Sequence, residues 1–450
     1  MASKKQTITI IGAGSAGCFM AILLAKRGYH VQIFERFSRE EIITSYTNRS
    51  FNLTFYGYAV EALQEAGLWD EVKPHFLTLR GSITQVTKRA KPVFVPFNLD
   101  NMSYYTIQRA KLLEILIAQA EKDSRITFNF ETSLLSIDRN NKTMHIQRKN
   151  TSTVKTINCA VVIGADGVNS LVRPFLQQGQ QTQHNQEYEK WSYKQIFLTK
   201  QMVKKIALAN DTQYTWTRKN ASLIAFPNGD DSFTAMLIVP KDSVHGFANL
   251  ISKEQINTFI TEQFPQLRPF VPVFINALKH NPEGNFVTVT TDSWFYKDFL
   301  VLIGDAAHGC LPFYGIGTSV AFGDCLTLIN KIDQFDNNWE KVFPAYQLER
   351  KKHTDVIADL AKKSFVGFRR YKKADFIAVY DRIESLLHTL LPKIFTPPLF
   401  YLVANNPNAA AEYFQKHKKQ RKMANMFGLF LIVKGITGFL ALQESLTNRG

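Results

Sequence analysis

Short apolar runs alternate with helix-like stretches along the first part of the chain. Residues 7–11 and 30–34 predict buried strands, and residues 18–27 between them predict a helix. Two later apolar runs, 161–164 and 301–303, stop abruptly before a turn and another helical stretch. Strands that alternate with helices in this way favour an α/β fold with a parallel sheet.

The turn between the first predicted strand and helix has the spacing Gly-x-Gly-x-x-Gly. Its first glycine allows a tight turn, its second lets the backbone approach a pyrophosphate, and its third lets helix and strand pack closely. The helix N-terminus adds partial positive charge, and an acid after the second strand is placed to hold a ribose. The predicted nucleotide-binding residues are Gly12, Gly14, Ser15, Ala16, Gly17, Glu35 and Arg36.

Two aspartates follow the later apolar runs in the same manner. Asp305 comes after Gly304, and Asp166 precedes Gly167. Ligands of open α/β sheets bind outside the carboxyl ends of the strands, so Asp305 is placed to accept a hydrogen bond from a ribityl or ribose hydroxyl. Taken alone, each aspartate also fits an ordinary strand-to-helix turn with an N-capping side chain.

Two arginines follow comparable turns. Arg109 begins the helical stretch 110–121, where a guanidinium is unfavourable beside the helix dipole unless an anion is near. A pyrophosphate is therefore its expected partner, and a solvated surface position is the alternative. Arg173 follows the Asp166 turn, where we expect its cation to meet a phosphate.

The three motifs in this order resemble the signature set of the flavoprotein aromatic hydroxylases, single-component FAD monooxygenases. The resemblance implies that the first motif binds the ADP part of FAD, that Asp305 holds the ribityl chain, and that Asp166 and Gly167 serve both FAD and NADPH. It also implies that Arg109 contacts FAD. The loop residues Gly315, Gly317 and Thr318 complete the expected cofactor set, because both glycines allow the backbone to approach the flavin.

The resemblance also implies the reaction. NADPH or NADH reduces FAD, O2 forms a flavin C4a-hydroperoxide, and the distal oxygen is transferred to the ring of a small aromatic substrate. Two other classes stay open: another FAD oxidoreductase of this fold, such as a halogenase or a lipid-chain reductase, and a non-enzymatic lipid or prenyl carrier. The Trp-x-Trp pair of such halogenases does not occur in the sequence.

Within the family the chain resembles most the members that hydroxylate kynurenine, from the segment 48–53 to the helical tail. The arginine with which those enzymes bind a carboxylate aligns with Ser82, and Arg80 lies two residues earlier, on the same face if this segment is a strand. No catalytic residue is certain, and we expect His308 to pack rather than catalyse. The candidate pocket residues are Arg49, Arg80, Tyr104, Pro312, Phe313 and Tyr314.

The strand-like segments 222–226 and 232–239 flank a turn and predict a hairpin. The expected architecture is a Rossmann-like FAD-binding domain, an interleaved antiparallel substrate domain and a C-terminal helical tail. We assign residues 1–75, 105–178 and 285–335 to the FAD-binding domain, 76–104 and 179–284 to the substrate domain, and 336–422 to the helical region.

Composition adds a prediction about location. The 450-residue chain has four cysteines without metal-ligand spacing and no separate apolar signal region, so we expect a cytoplasmic protein with reduced thiols and no metal. The apolar run 423–442 follows a basic cluster, and the net charge is +16. These features favour peripheral binding to an anionic membrane, although a spanning helix or a packed lid stays open. No nucleic-acid-binding module is visible.

Overall fold

The structure is a computed structural model that describes residues 6–49, 52–85, 87–97, 104–176, 184–369, 384–385 and 387–422. Side chains of residues 46–49 and 368–369 lie outside this description, as does the apolar run 423–442. The strands are β1 (Thr7–Ile11), β2 (His30–Phe34), β3 (Leu53–Phe55), β4 (Leu77–Thr78), β5 (Gly81–Gln85), β6 (Val93–Pro96), β7 (Tyr105–Ile107), β8 (Ile126–Asn129), β9 (Thr132–Asp138), β10 (Thr143–Arg148), β11 (Val154–Asn158), β12 (Val161–Gly164), β13 (His184–Leu198), β14 (Thr212–Thr217), β15 (Ser222–Pro227), β16 (Phe233–Pro240), β17 (Gly284–Thr291), β18 (Phe295–Tyr296) and β19 (Leu300–Leu302).

Helices connect these strands and form most of the C-terminal part. They are α1 (Ser15–Lys26), α2 (Arg39–Arg49), α3 (Gly57–Glu65), α4 (Trp69–Val72), α5 (Arg109–Glu121), α6 (Lys200–Lys205), α7 (Lys253–Gln263), α8 (Val271–His280), α9 (Asp305–His308), α10 (Gly317–Gln334), α11 (Trp339–Arg369) and α12 (Leu399–Asn405). Short 3-10 helices span Lys73–His75, Arg173–Leu176, Pro265–Phe270, Pro312–Tyr314 and Pro407–Ala409, and residues 410–422 are also helical.

A six-stranded sheet forms the centre of the nucleotide-binding part. Its strand order is β18-β19-β12-β1-β2-β8, and all its pairings are parallel except β18 with β19. The strands β1, β12 and β19 are almost wholly buried, as expected when helices cover both faces of a parallel sheet. The predicted α/β fold is confirmed, and the predicted strands 7–11 and 30–34 are β1 and β2.

A seven-stranded sheet lies beside it, with the order β17-β13-β16-β15-β14-β5-β6. Its pairings are antiparallel except β14 with β5. The predicted hairpin is confirmed, since β15 pairs with β16 in a register that places Ala225 opposite Ala235. Because β17 pairs with β13, this sheet continues to Thr291, beyond the proposed domain boundary at residue 285.

The C-terminal helices pack against the sheet-bearing part and close one side of the molecule. Asn405 at the end of α12 accepts a hydrogen bond from the backbone N–H of Gly57, and Asn408 bonds to both Arg350 and Tyr58. These contacts hold α11 and α12 beside the start of α3. No helix within the described ranges is both long and apolar enough to cross a bilayer.

Candidate active site

One cavity of about 550 Å³ is lined by residues from both large sheets and from α11 and α12. Such a volume is typical of sites that bind small molecules and cofactors. Most of the predicted site residues meet here, although they are distant in sequence. The predicted residues that line it are Gly12, Gly14, Ser15, Ala16, Glu35, Arg36, Tyr104, Arg109, Asp166, Gly167, Asp305, Pro312, Phe313, Tyr314, Gly315, Gly317 and Thr318.

The β1–α1 turn is held tightly against the end of β12. Gly12 has φ +104°, and a Cβ there would lie 2.6 Å from the carbonyl oxygen of Ala165. Gly17 is not a lining residue; a Cβ there would lie 2.0 Å from the carbonyl oxygen of Gly12. Both positions therefore exclude side chains, and this is why the turn can bring backbone N–H groups to the cavity.

Glu35 braces this turn from the end of β2. One carboxylate oxygen accepts a hydrogen bond from the backbone N–H of Ala13 at 2.9 Å, and the other accepts from Phe37 at 3.0 Å. Each oxygen keeps a further lone pair that can accept from a hydroxyl. The acid is almost fully buried and lines the cavity, as a ribose-binding residue must.

Asp166 is the second buried acid at this edge. Its Oδ2 accepts hydrogen bonds from the backbone N–H groups of Leu171 at 2.6 Å and Val172 at 3.2 Å. Its Oδ1 is buried without a well-aligned hydrogen bond to a described group. Burial raises the pKa of the carboxyl, and hydrogen bonds from Ser170, Leu171 and Val172 only partly oppose that rise. An acceptor left without a donor inside a polar cavity is costly unless a ligand supplies the hydrogen bond.

The structure places Arg173 among backbone carbonyl groups and not at the cavity where a phosphate contact was expected. Its guanidinium is buried and donates to the carbonyl oxygens of Ala306 at 2.9 Å and Val168 at 2.7 Å. The residue does not line the cavity, and burial lowers the pKa of the guanidinium. It therefore connects the Asp166 turn to the Asp305 turn, and its guanidinium is already bonded to the carbonyl groups of Ala306, Gly167 and Val168.

A buried network supports the Asp305 turn from behind. Gly304 has φ +60°, does not line the cavity, and donates its backbone N–H to Asp324 Oδ2 at 2.8 Å. The Nε2 of His308 lies 2.5 Å from the same oxygen, and Arg350 Nε donates to Asp324 Oδ1 at 2.8 Å. His308 is thus a packing residue held by a carboxylate that the sequence did not reveal.

Several described helices begin at or beside the cavity without a side-chain cap. Among them are α1, α5, α9 and α10, whose N-cap residues make no capping hydrogen bond through a side chain. Away from the cavity, α6 and α7 are capped by Thr199 and Ser252, whereas α4 and α8 are uncapped. Uncapped N-termini carry donors and partial positive charge, so they favour phosphate and the negative charge of a reduced flavin.

The cavity has a charged end and an uncharged end. Its charged lining residues, within the described part of the chain, are Glu35, Arg36, Arg109, Asp166 and Asp305, all at strand ends or helix starts beside the six-stranded sheet. Toward the seven-stranded sheet the lining is aromatic or polar without charge. The aromatic side chains there are Tyr56, Phe97, Tyr104, Phe226, Phe313, Tyr314 and Phe400, and the polar ones include Asn52, Thr54, Ser82, Gln213, Thr215 and Ser364.

The prediction that Arg80 lines the pocket is wrong. This residue precedes β5 and forms a two-point ion pair with Asp211, with Arg80 Nη2 and Asp211 Oδ1 3.1 Å apart, and its side chain is 67% exposed. Ser82 lines the cavity and Arg80 does not, because Arg80 lies before the strand and its guanidinium is taken by a surface acid. The side chain of Arg49, at the end of α2, lies outside the described residues.

The sequence reasoning missed much of the uncharged end. Tyr56, Gln213 and Phe400 come from three distant parts of the chain, and no local motif marks them. The alternation of β14 was a usable signal, because Gln213 and Thr215 are two residues apart on one strand and both face the cavity. Nothing comparable pointed to Tyr56, which follows β3 at the start of α3.

The charged end fits FAD. A Cβ at Gly167 or Gly317 would meet no protein atom within 4 Å, so both backbones lie open to the cavity. The unsatisfied Oδ1 of Asp166, the lone pairs of Glu35 and the uncapped start of α1 supply acceptors and donors for hydroxyls and phosphates. Arg109 adds a cation at the same end.

Comparison with known proteins agrees with this geometry. Residues 5–361 match the family described as FAD binding domain. The chain is 33% identical over 408 residues to a kynurenine 3-monooxygenase of Legionella pneumophila, covering 90% of each chain. It is 28% identical over 432 residues to a kynurenine 3-monooxygenase of Salinispora tropica, covering 95% of this chain and 94% of the relative.

Solved structures share the fold at lower identity. A tetrameric 2-methyl-3-hydroxypyridine-5-carboxylic acid oxygenase matches with a TM-score of 0.67 and 19% identity, over 82% of this chain and 94% of the other. A Pseudomonas aeruginosa protein crystallised with 2-aminobenzoylacetate matches with a TM-score of 0.66 and 17% identity, over 84% and 100%. The chain therefore belongs to the FAD-binding family of the flavoprotein aromatic hydroxylases and is an FAD-dependent monooxygenase.

Proposed function

We propose that this monooxygenase consumes NADPH or NADH and hydroxylates a small aromatic molecule, either kynurenine or a different aromatic compound. The observation that carries the proposal is the division of one cavity into a charged end and an aromatic end. The loop that contains Pro312, Phe313 and Gly315 lines the same cavity. A flavin held at the charged end would thus face a ring held at the aromatic end.

The reaction balances without another reactant. Two electrons from the nicotinamide and one O2 molecule give one oxygen atom for the ring and one for water. Bound FAD supplies the electron transfer and the oxygen activation. The protein's own residues orient the ring and keep water away, and the stacked pair Phe313–Phe365, with centroids 4.6 Å apart, contributes an apolar wall.

A screen of substrates tests this proposal. FAD-loaded protein is mixed with NADPH or NADH and with aromatic amines, phenols or kynurenine, and both nicotinamide oxidation and product mass are measured. We expect at least one aromatic compound to accelerate oxidation and to gain one oxygen atom that comes from labelled O2. Flavin reduction with no ring-oxygenated product from any compound would contradict the proposal.

We further propose that the protein binds anionic membranes peripherally. The support comes from sequence alone, because the apolar run 423–442 lies outside the described residues. A basic cluster at 417–422 precedes this run, and the chain carries a net charge of +16. Attraction of basic residues to anionic lipid together with burial of apolar side chains is the usual basis of surface binding.

A further inference from the structure

The hydroxyl of Tyr56 is unusual among the polar groups of the cavity. Tyr56 is 4% exposed and lines the aromatic end; its hydroxyl lies close to the side chains of Tyr104 and Thr54 but makes no well-aligned hydrogen bond with a described group. Burial raises the pKa of Tyr56 well above its ordinary value, and the neighbouring Tyr104 adds to that rise. The group is therefore a neutral phenol that can both donate and accept.

The position of Tyr56 is fixed from several sides. Its ring meets Tyr104 edge-on with centroids 4.6 Å apart, and it meets Phe400 edge-on at 5.8 Å. A Cβ built on Gly315 would lie 3.9 Å from the Tyr56 hydroxyl, so this oxygen lies close to the loop expected to contact the flavin. The hydroxyl thus stands between that loop and the aromatic wall.

The remaining polar groups of this end are also uncharged. Ser82 and Gln213 are opposite each other in the register of β5 and β14, and Gln213 Nε2 donates to Thr215 Oγ1 at 3.3 Å. The positive lining residues within the described part of the chain, Arg36 and Arg109, follow β2 and β7 and do not belong to the seven-stranded sheet. A neutral polar group on a ligand can be satisfied here, whereas a carboxylate would lose its hydration without gaining an ion pair from the described side chains of this end.

On the basis of the proposed function, we infer that the substrate is an uncharged aromatic ring and that the Tyr56 hydroxyl hydrogen-bonds to a hydroxyl or amino substituent on it. Tyr56 is then a specificity-determining residue. A ring oriented by this bond lies against Phe313 and Tyr314, which line the cavity beside the flavin loop.

Ligand binding to FAD-loaded protein, followed through the flavin absorbance and by equilibrium dialysis, tests the inference without turnover. One ligand pair differs in charge: 2-aminobenzamide and 2-aminobenzoate. Another differs in the substituent: 2-aminoacetophenone and acetophenone. We expect the amide to bind at least about tenfold more tightly than the carboxylate, because no described side chain of the aromatic end offers the carboxylate a cation.

Tyr56→Phe removes only the hydroxyl. We expect it to weaken binding of 2-aminoacetophenone about fivefold to tenfold, the effect of one hydrogen bond, and to change binding of acetophenone less than about twofold. Tyr58→Phe is the matched control, because the Tyr58 hydroxyl accepts from Asn408 and the residue does not line the cavity. The control should leave the ratio of the two affinities unchanged.

Several outcomes overturn the inference. They are equal or tighter binding of 2-aminobenzoate, an unchanged affinity ratio in Tyr56→Phe, the same loss in Tyr58→Phe, and failure of every neutral compound to bind. If a carboxylate substrate is hydroxylated well, the inference fails and the proposed function stands. If the neutral ligands bind as expected but no aromatic compound is oxygenated, the proposed function fails.

Discussion

Buried carboxylates have two different roles in this protein. Glu35 and Asp166 brace their own turns by accepting backbone N–H groups, and they still present oxygens to the cavity. Asp324 never reaches the cavity but fixes Gly304 and His308 behind the Asp305 turn. Removing an acid that lines the cavity should lower the affinity for FAD, whereas removing Asp324 should lower the stability of the fold.

Asp305→Ala should lower FAD affinity. Asp305 lines the cavity at the first turn of α9, where it is placed to accept from a flavin hydroxyl, and a lost hydrogen bond to a charged group costs about 1.5–3 kcal/mol. Flavin occupancy at limiting FAD is the measurement. Asp333→Ala is the control, since Asp333 pairs with Arg27 at the surface and does not line the cavity. Equal flavin occupancy in wild type and Asp305→Ala would contradict the assignment of Asp305 to FAD binding.

Asp324→Asn should lower the free energy of unfolding by about 3–5 kcal/mol, because it leaves the buried Arg350 guanidinium without its counter-charge. Urea denaturation at neutral pH measures the loss. Burial alone would raise the pKa of Asp324, but His308 and Arg350 hold it below the usual 3.8.

The sign of its pH dependence follows from that lowered pKa. A depressed folded-state pKa stabilises the protein above the unfolded value, and this stability is lost as pH falls through the folded value. The difference between wild type and Asp324→Asn should therefore be constant near neutrality and shrink only below about pH 4. A difference that shrinks between pH 8 and pH 6 would show that another group is responsible.

At the scale of secondary-structure elements, local signals predicted what depends on local geometry. Gly12 and Gly17 marked the first turn correctly, because a side chain at Gly12 would meet the Ala165 carbonyl and one at Gly17 would meet the Gly12 carbonyl. The hairpin of β15 and β16 followed from two alternating segments around a polar turn. The prediction that Arg80 lines the pocket was wrong for two reasons. Its ion-pair partner Asp211 is far away in sequence, and residues two positions apart share a face only when both lie inside a strand.

Helix ends illustrate the same limit. A sequence shows whether a serine precedes a helix, but it does not show that an uncapped N-terminus faces a cavity. The starts of α1 and α10 have this arrangement, whereas Ser252 and Gln255 form a complete capping box on α7. The cap should therefore stabilise α7 without affecting the binding of FAD.

Ser252→Ala tests this separation. It removes the hydroxyl that accepts from the Gln255 backbone N–H at 3.1 Å, and loss of such a cap costs about 1 kcal/mol. We expect a lower midpoint in urea with unchanged FAD occupancy and unchanged substrate-stimulated oxidation of the nicotinamide. Ser252→Asp, which preserves a capping acceptor, should recover most of the stability. A drop in FAD occupancy in Ser252→Ala would mean that α7 and the cofactor end are coupled.

At the scale of the whole molecule, the cavity requires both sheets and the C-terminal helices. Ser364 on α11 and Phe400 on α12 line the aromatic end, and Arg350 and Asn408 connect these helices to the Asp324 network. The described C-terminal helices are therefore part of the site. This distinguishes them from the apolar run 423–442, for which the sequence predicts a separate role at a membrane.

Truncation after Lys422 separates these roles. It keeps the described helix 410–422, including Gln420, which accepts from Thr396, and it removes the apolar run. The shortened protein should keep FAD and substrate-stimulated oxidation, but it should no longer sediment with phosphatidylserine vesicles at physiological salt. The remaining basic residues each contribute only about 1 kcal/mol near an anionic surface, and salt screens that attraction.

Phosphatidylcholine vesicles are the control for the lipid charge in this experiment. Full-length protein should bind them less tightly, because the basic cluster at 417–422 gains nothing from a neutral surface. Sedimentation of the shortened protein with anionic vesicles, or none by the full-length protein, would refute the anchor. Loss of oxidation with FAD retained would instead indicate that the run 423–442 packs as a lid over the aromatic end.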